Sequence, residues 1–380
     1  EDMRKKRSIN RRIGMVLATS ILASLASCGN QEKPQESTTT QAEETTTVES
    51  VPEQTESTPI YSITEENLSP ELTMSRQPEA SYWFPAQLLE WNKEEDPDLI
   101  FNISTVPLAE RVDTAKLETV NETQNRDTKV MSISIMNGST SGNSPHGLNK
   151  VDANAFTYWQ YVDLLVYWGG SSGEGLIVAP SADVVDAGHK NGVKVIGTVF
   201  MPQAAHGGKM EWLEDLLKKA EDGSYPVADK LIEVAKVYGF DGWFINQETE
   251  GTEEEPLTED HALRMQEFLS YYKEKAAELE LIYYDSMTID GQMDWQNGLT
   301  ERNLAFLKTE EGKTVADKMF LNFWWTTEKY APEELLKSSK ELAEQKEIDP
   351  YTLYAGIDLQ SKGYGTEINW SLFENPEGGT

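Results

Sequence analysis

Between Val130 and Asp358 the sequence repeats one pattern, a short and nearly continuous apolar run followed by a longer stretch of helical periodicity. The apolar runs fall at Val130–Met136, Val162–Trp168, Gly192–Phe200, Phe240–Asn246, Leu281–Asp285, Met319–Trp324 and Tyr354–Asp358. Their length and β-branched content predict strands buried on both faces. Helices are expected at Pro226–Tyr238, Asp260–Glu280 and Pro332–Gln345, the first ended by Gly239 at its C-cap. A further short helix is expected around Glu214–Lys219, with Glu214 and Asp215 paired to Lys218 and Lys219 one turn on. Apolar strands alternating with helices build a parallel sheet covered by helices. No glycine fingerprint for a dinucleotide follows the first strand. The expected fold class is α/β, a (β/α)8 TIM barrel, with seven strands legible and the last strand lacking.

The repeat does not begin at the N-terminus. Arg4, Lys5, Lys6, Arg7, Arg11 and Arg12 precede an apolar run from Ile13 to Ala26, which ends Leu25-Ala26-Ser27-Cys28. A basic region, a short apolar stretch and small residues before a cut point make an export signal, too short for an ordinary spanning helix. Its last four residues resemble a bacterial lipobox, which makes Cys28 the expected lipid attachment site and membrane lipid an expected partner. Cys28 is the single cysteine of the chain, so no intramolecular disulfide forms. From Gly29 to about residue 75 the sequence is rich in Gln, Glu, Thr, Ser and Pro, as in Thr38-Thr39-Thr40 and Thr45-Thr46-Thr47. Such a stretch buries too little surface to offset its ordering entropy and is expected to be a disordered tether. The expected organisation is a lipoprotein signal at 1–28, a linker at 29–75 and a catalytic domain at 76–380. The expected location is the outer face of a bacterial cell membrane, and the protein is read as a monomer.

Charge narrows the partners. With 33 Lys and Arg against 65 Asp and Glu, the formal net charge is −32, which repels nucleic acid backbones. Ten Trp and fifteen Tyr suit flat stacking on a neutral sugar. His146, His189, His206 and His261 lack ligand spacing with carboxylates or cysteine, so neither a metal nor another cofactor is expected. His189, ahead of the third strand, is expected to pack or cap rather than to act.

In a parallel barrel the side chains at the C-terminal strand ends face the active site. Here those positions hold Trp168, Asn246, Glu248, Tyr284, Asp285 and Trp324. Asn246 and Glu248 are two apart on an extended segment, so both side chains face the same way. That spacing suits cleavage of a 2-acetamido sugar in which the substrate's own acetamide attacks the anomeric carbon. Glu248 is then the proton donor and acceptor, and Asn246 the group that grips the acetamide. Trp243 and Phe244 are expected to supply the apolar surroundings that hold the acid protonated.

The segment Gly239-Phe-Asp-Gly-Trp-Phe-Ile-Asn-Gln-Glu248 resembles the catalytic strand of the endo-β-N-acetylglucosaminidases of glycoside hydrolase family 85. Other stretches resemble that family in the same order. They include Ser81-Tyr-Trp-Phe-Pro85, Tyr161-Val-Asp-Leu-Leu-Val-Tyr-Trp168, Ala187-Gly-His-Lys-Asn-Gly-Val-Lys-Val-Ile-Gly-Thr198, Tyr283-Tyr-Asp-Ser-Met287, Asn322-Phe-Trp-Trp325 and Tyr354-Ala-Gly-Ile-Asp358. The resemblance spans roughly residues 81 to 375. It implies hydrolysis of the β-1,4 bond between the two core N-acetylglucosamines of N-linked glycans. It also implies Glu248 as acid/base, Asn246 as the residue orienting the acetamido group and Tyr284 as the tyrosine assisting at the oxazoline. Trp295 and Trp324 match aromatics of the sugar-binding and acceptor subsites, and Trp168, Trp243 and Asp285 complete the expected binding set.

One departure is the glycine-rich connection Gly169-Gly170-Ser171-Ser172-Gly173-Glu174-Gly175-Leu176, which is expected to reshape the cleft. Two other readings compete. A catalytically silent glycan-binding lipoprotein would keep the tryptophans and lose the acid. A chitinase-like hydrolase would carry an acidic relay ending in Glu, where position 246 here is an amide.

Overall fold

The computed structural model of the chain describes residues 77–118, 127–146, 156–360 and 362–373. The expected export signal, Cys28 and the linker lie outside the described residues. No helix among those described is long and apolar enough to cross a membrane.

Among the described residues, nine strands and seven α-helices make up a mixed α/β fold. The strands are β1 (Tyr82–Trp83), β2 (Met131–Ile135), β3 (Leu164–Trp168), β4 (Ile177–Val178), β5 (Lys194–Met201), β6 (Gly242–Gln247), β7 (Glu280–Tyr284), β8 (Lys318–Leu321) and β9 (Leu353–Ala355). The helices are α1 (Pro85–Glu90), α2 (Leu99–Asn102), α3 (Ala182–Lys190), α4 (Met210–Leu216), α5 (Pro226–Tyr238), α6 (Glu259–Lys275) and α7 (Leu335–Gln345). Each of the seven expected runs overlaps a strand, and these pair in parallel in the order β2, β3, β5, β6, β7, β8, β9. Sequential order with helical crossovers is what buried parallel strands require.

Two strands were not expected. Tyr82–Trp83 pairs antiparallel with Ile177–Val178, which pairs antiparallel with Val199 and Thr198 of β5. The glycine-rich connection after β3 makes this possible. It folds back through a bridge between Ser171 and Gly175 and delivers β4 to the upper half of β5, where β3 has already diverged. Two-residue strands carry too little periodicity to be read from sequence.

The sheet separates two cores. A large outer core packs strand side chains such as Val195, Trp243, Ile245, Leu281 and Tyr283 against the helices. A smaller inner core gathers Leu164, Val166, Ile196, Phe244, Ile282 and Tyr284 on the other face. On that face the Phe244 ring lies 6.1 Å from Trp168 and 6.0 Å from Phe320, each two strands away. Two strand spacings in a flat sheet would put them about 9.5 Å apart, so the sheet curls around its inner core. An eighth parallel strand that would close the ring is not seen among the described residues. β2 and β9 end the parallel path, and residues of both line one cavity of about 1530 Å³ that reaches the C-terminal strand ends.

Local chemistry sets the helix ends. α5 starts on Pro226 and stops at Gly239, whose φ of 80° is left-handed and whose N–H donates to Ala235 O. The charge pairing expected within the Glu214–Lys219 stretch does not form, because α4 ends at Leu216 and leaves Lys218 beyond it. Glu214 instead bridges to His261 and Arg264 on α6, and Lys219 to Glu267. His189 is buried on α3, its Nδ1 on Val106 O and its Nε2 on Asp241 Oδ2.

Candidate active site

Parity along β6 decides which side chains reach the cleft. Phe244, Asn246 and Glu248 face the inner side and line the large cavity, together with Trp168, Tyr284 and Phe320. Trp243, Ile245 and Gln247 face the helices. Trp243 is therefore no substrate contact. It is fully buried in the outer core, with Nε1 donating to Leu231 O at 2.9 Å. Phe244 alone of that expected pair supplies apolar surroundings to the acid.

Glu248 stands one residue beyond β6, and its backbone is fixed on several sides. Its N–H donates to Met201 O at 2.8 Å. Before it, the Gln247 carbonyl accepts Ser286 Oγ and the Gln247 amide donates to Thr249 O. After it, Thr249 Oγ1 donates to Pro202 O at 2.8 Å. Half-burial raises the Glu248 pKa above the ordinary carboxylate range, opposed by Gln203, His206 and Asn246 and assisted by the charge of Glu250. Gln203 Nε2 donates to Glu248 Oε2 at 3.3 Å. A carboxyl whose pKa is raised by burial is suited to give a proton to a leaving oxygen.

Asn246 lies beside Glu248 on the same face of the strand and holds its pKa down. Its Oδ1 is buried and has no partner. An unpaired buried amide oxygen costs about 1–3 kcal/mol, and a ligand that brings an N–H to it recovers that cost.

Tyr284 completes the cluster from the end of β7. Its hydroxyl donates to Asn322 Oδ1 at 2.7 Å, and burial, with Asp285 and Glu248 behind it, raises its pKa well above the usual phenol value. The phenol stays protonated. Asp285 does not line the cleft. It is sealed beneath Tyr284, its Oδ1 accepting the Asn322 N–H and its Oδ2 without a partner, and burial raises its pKa strongly.

Trp295 packs against the inner core beside Tyr284, and its ring lies 5.7 Å from that of Trp324. Trp324 is 39% exposed, and neither it nor Trp295 lines the large cavity. Trp168 lines both the large cavity and a side pocket of about 410 Å³. Gln203, Asn322, Asn297 and Phe320 were not anticipated. The two asparagines lie outside strand periodicity and act through hydrogen bonds alone, which no spacing rule exposes. Among the described residues no group of His, Cys, Asp and Glu converges to hold a metal ion.

Comparison with known proteins agrees with this layout. The model of glycosyl hydrolase family 85 matches residues 137–377. The cytosolic endo-beta-N-acetylglucosaminidase of Danio rerio is 31% identical over 284 residues, 73% of this chain and 34% of that protein. Cytosolic endo-beta-N-acetylglucosaminidase 2 of Arabidopsis thaliana is 30% identical over 277 residues, 72% of this chain and 34% of that one. The chain thus spans about a third of the length of these relatives. The glycoside hydrolase domain of Endo-D from Streptococcus pneumoniae R6 superposes with a TM-score of 0.66 at 35% identity, over 77% of this chain and 44% of that one. The matched residues take in β3 to β9 and every side chain of the cluster around Glu248, and on that ground the chain belongs to glycosyl hydrolase family 85.

Proposed function

We propose that the chain is an endo-β-N-acetylglucosaminidase that hydrolyses the β-1,4 bond of the N,N'-diacetylchitobiose core of N-glycans, with retention, through an oxazoline. In this reading the seven parallel strands belong to a (β/α)8 barrel. The observation that carries the proposal is the bare, buried Asn246 Oδ1 beside a carboxyl of raised pKa. An acetamide N–H fits that oxygen, and fixing it there leaves the acetamide oxygen free to attack.

The steps balance without a protein nucleophile. The acetamide oxygen bonds to the anomeric carbon as the glycosidic C–O bond breaks. The released electron pair goes to the leaving oxygen, which takes the proton of Glu248. The oxazolinium keeps its N–H on Asn246. Glu248, now ionised, takes a proton from water, whose oxygen attacks the anomeric carbon and reopens the ring. Neither neighbouring carboxylate stands in as nucleophile: Glu250 holds the Ala204 N–H and Asp285 is sealed below the cleft.

A glycoprotein carrying high-mannose chains tests the proposal, with mass spectrometry of the released sugar. The full chain is expected to free a glycan ending in one N-acetylglucosamine, and Glu248→Gln to abolish release. Undiminished release by the variant overturns the assignment. Asn246→Ala is expected to lose hydrolysis of the same substrate.

Anchoring is a separate proposal, carried by residues 3–28, which lie outside the matched region. In this reading Cys28 is acylated and holds the enzyme on the outer face of the membrane. Two acyl chains give stable retention where one is marginal. Cys28→Ala is expected to release the protein into the medium, and continued retention refutes lipidation.

A further inference from the structure

Tyr284 ends a hydrogen-bond chain whose direction is set by a backbone group. The N–H of Trp324 donates to Asn297 Oδ1 at 3.2 Å, and a backbone N–H has no acceptor role. That atom of Asn297 is therefore the amide oxygen, and the other, which meets Trp295 O at 2.9 Å, is the nitrogen. Asn322 approaches the same Asn297 oxygen at 2.8 Å, so it presents its own nitrogen there. What remains for Tyr284 is Asn322 Oδ1 at 2.7 Å, and the proton in that contact is the phenol's.

The chain is held at both ends. Asn297 sits at φ 56°, a left-handed conformation that Asn tolerates better than most residues. Asp285 Oδ1 accepts the backbone N–H of Asn322 at 3.1 Å. Asn297, Asn322 and Asp285 are all buried, so water offers none of them an alternative partner. Flipping either amide would set donor against donor or oxygen against oxygen.

We propose that Asn322 is a positioning residue that commits the single proton of Tyr284 away from the cleft, so that Tyr284 meets the substrate as an acceptor. The inference rests on the oxazoline reading above and deepens it. In that reaction the acetamide oxygen must keep its lone pair for the anomeric carbon. A phenol donating to that oxygen would draw the pair away. With its proton held by Asn322, Tyr284 instead turns lone-pair density toward the ring that becomes positively charged. Asn246 Oδ1 takes the N–H, and the developing cation meets two oxygens and no competing donor. Without Asn322 the hydroxyl is free to rotate and donate into the cleft.

The test is a double-mutant cycle on the full chain, with kcat and KM measured on the high-mannose glycoprotein and rates referred to folded protein. Asn322→Ala is expected to lower kcat by about tenfold or more while KM changes by less than about twofold. In the Tyr284→Phe background, which has no proton to misdirect, the same substitution is expected to cost less than about twofold. Asn322→Asp, which as the neutral buried acid keeps an acceptor toward the phenol and an O–H toward Asn297 Oδ1, is expected to recover part of the loss and covers the case in which the alanine variant does not fold. Equal losses from Asn322→Ala with and without the Tyr284 hydroxyl overturn the inference, as does an aspartate variant no better than alanine. Glu248→Gln run alongside separates the two failures. If it stays active, the oxazoline reading itself falls; if it is inactive and the cycle is additive, only the role of Asn322 falls.

Discussion

The indole of Trp243 lies across Gly197, its partner in the β5–β6 register, and a Cβ on that glycine would fall 2.6 Å from the ring. The same Cβ would meet Val178 O of β4 at 2.7 Å. Glycine at 197 thus lets a tryptophan and an extra antiparallel strand share one surface of β5. Gly197→Ala is expected to destabilise the protein by about 1–3 kcal/mol through overpacking. Trp243→Ala, which empties a fully buried site, is expected to cost about 3–5 kcal/mol. Denaturant unfolding measures both. Trp243→Phe is expected to fold and to keep KM unchanged, whereas a raised KM in that folded variant would restore a substrate-binding role to the ring.

Glu248 is expected to make the protein less stable at neutral pH than it would be with a neutral side chain. Its folded pKa lies above the unfolded value of about 4.3. The unfolded chain therefore releases this proton first as pH rises. Stability is whole below about pH 4 and declines until the folded pKa is passed. Glu248→Gln does not titrate. Its melting temperature is expected to exceed that of the unaltered chain at pH 7, with the gap closing as pH falls toward 4. A gap that stays constant with pH, or widens in acid, contradicts the raised pKa.

Trp243 also marks the limit of what was legible. The apolar runs announced all seven parallel strands, because burial on both faces leaves a pattern that needs no partner to be recognised. Asn246 and Glu248 were legible for a related reason, since a spacing of two on a strand puts both on one face. The same rule puts Trp243 on the opposite face, against its place in the expected binding set. Asp285 failed differently. A carboxylate at a strand end looks solvent-facing until the chain turning back at Ser286 and the backbone of Asn322 cover it. Asn297 and Asn322 were silent because they act through hydrogen bonds to segments distant in sequence. Strands β1 and β4 were silent because two residues make no period.

His189 is expected to give stability a second pH dependence, in the opposite part of the scale from acid unfolding. Val106 O is an acceptor only and Asp241 is a carboxylate, so both ring nitrogens face acceptors and each carries a proton. Burial opposes that charge, but the bonds to Asp241 and Val106 outweigh it and raise the pKa above the ordinary imidazole value. This stabilisation is complete below about pH 6.5 and is lost as pH rises through the folded pKa. His189→Ala is expected to lower stability by about 1–3 kcal/mol at pH 6, with a smaller deficit at pH 9. An equal deficit at both pH values would mean that the ring acts by packing alone.

Trp324 is expected to separate affinity from stability in the reverse sense to Trp243. Its ring is 39% exposed and meets Trp295 at 5.7 Å with the planes tilted by 58°. The rest of the face is open to solvent, and the backbone N–H, which any residue retains, is what holds Asn297. Trp324→Ala is therefore expected to cost only about 1–2 kcal/mol of stability, the part contributed by its ring contacts with Trp295 and the adjacent Phe323. For a sugar that stacks on the open face, the same substitution removes a flat apolar surface worth about 1–2 kcal/mol, or roughly a tenfold rise in KM. Thermal melts and initial rates on the high-mannose glycoprotein check the two halves independently. A variant that melts normally and binds normally would show that the exposed indole faces solvent in the complex, and would remove it from the sugar-binding wall while leaving Tyr284 and its asparagine chain in place.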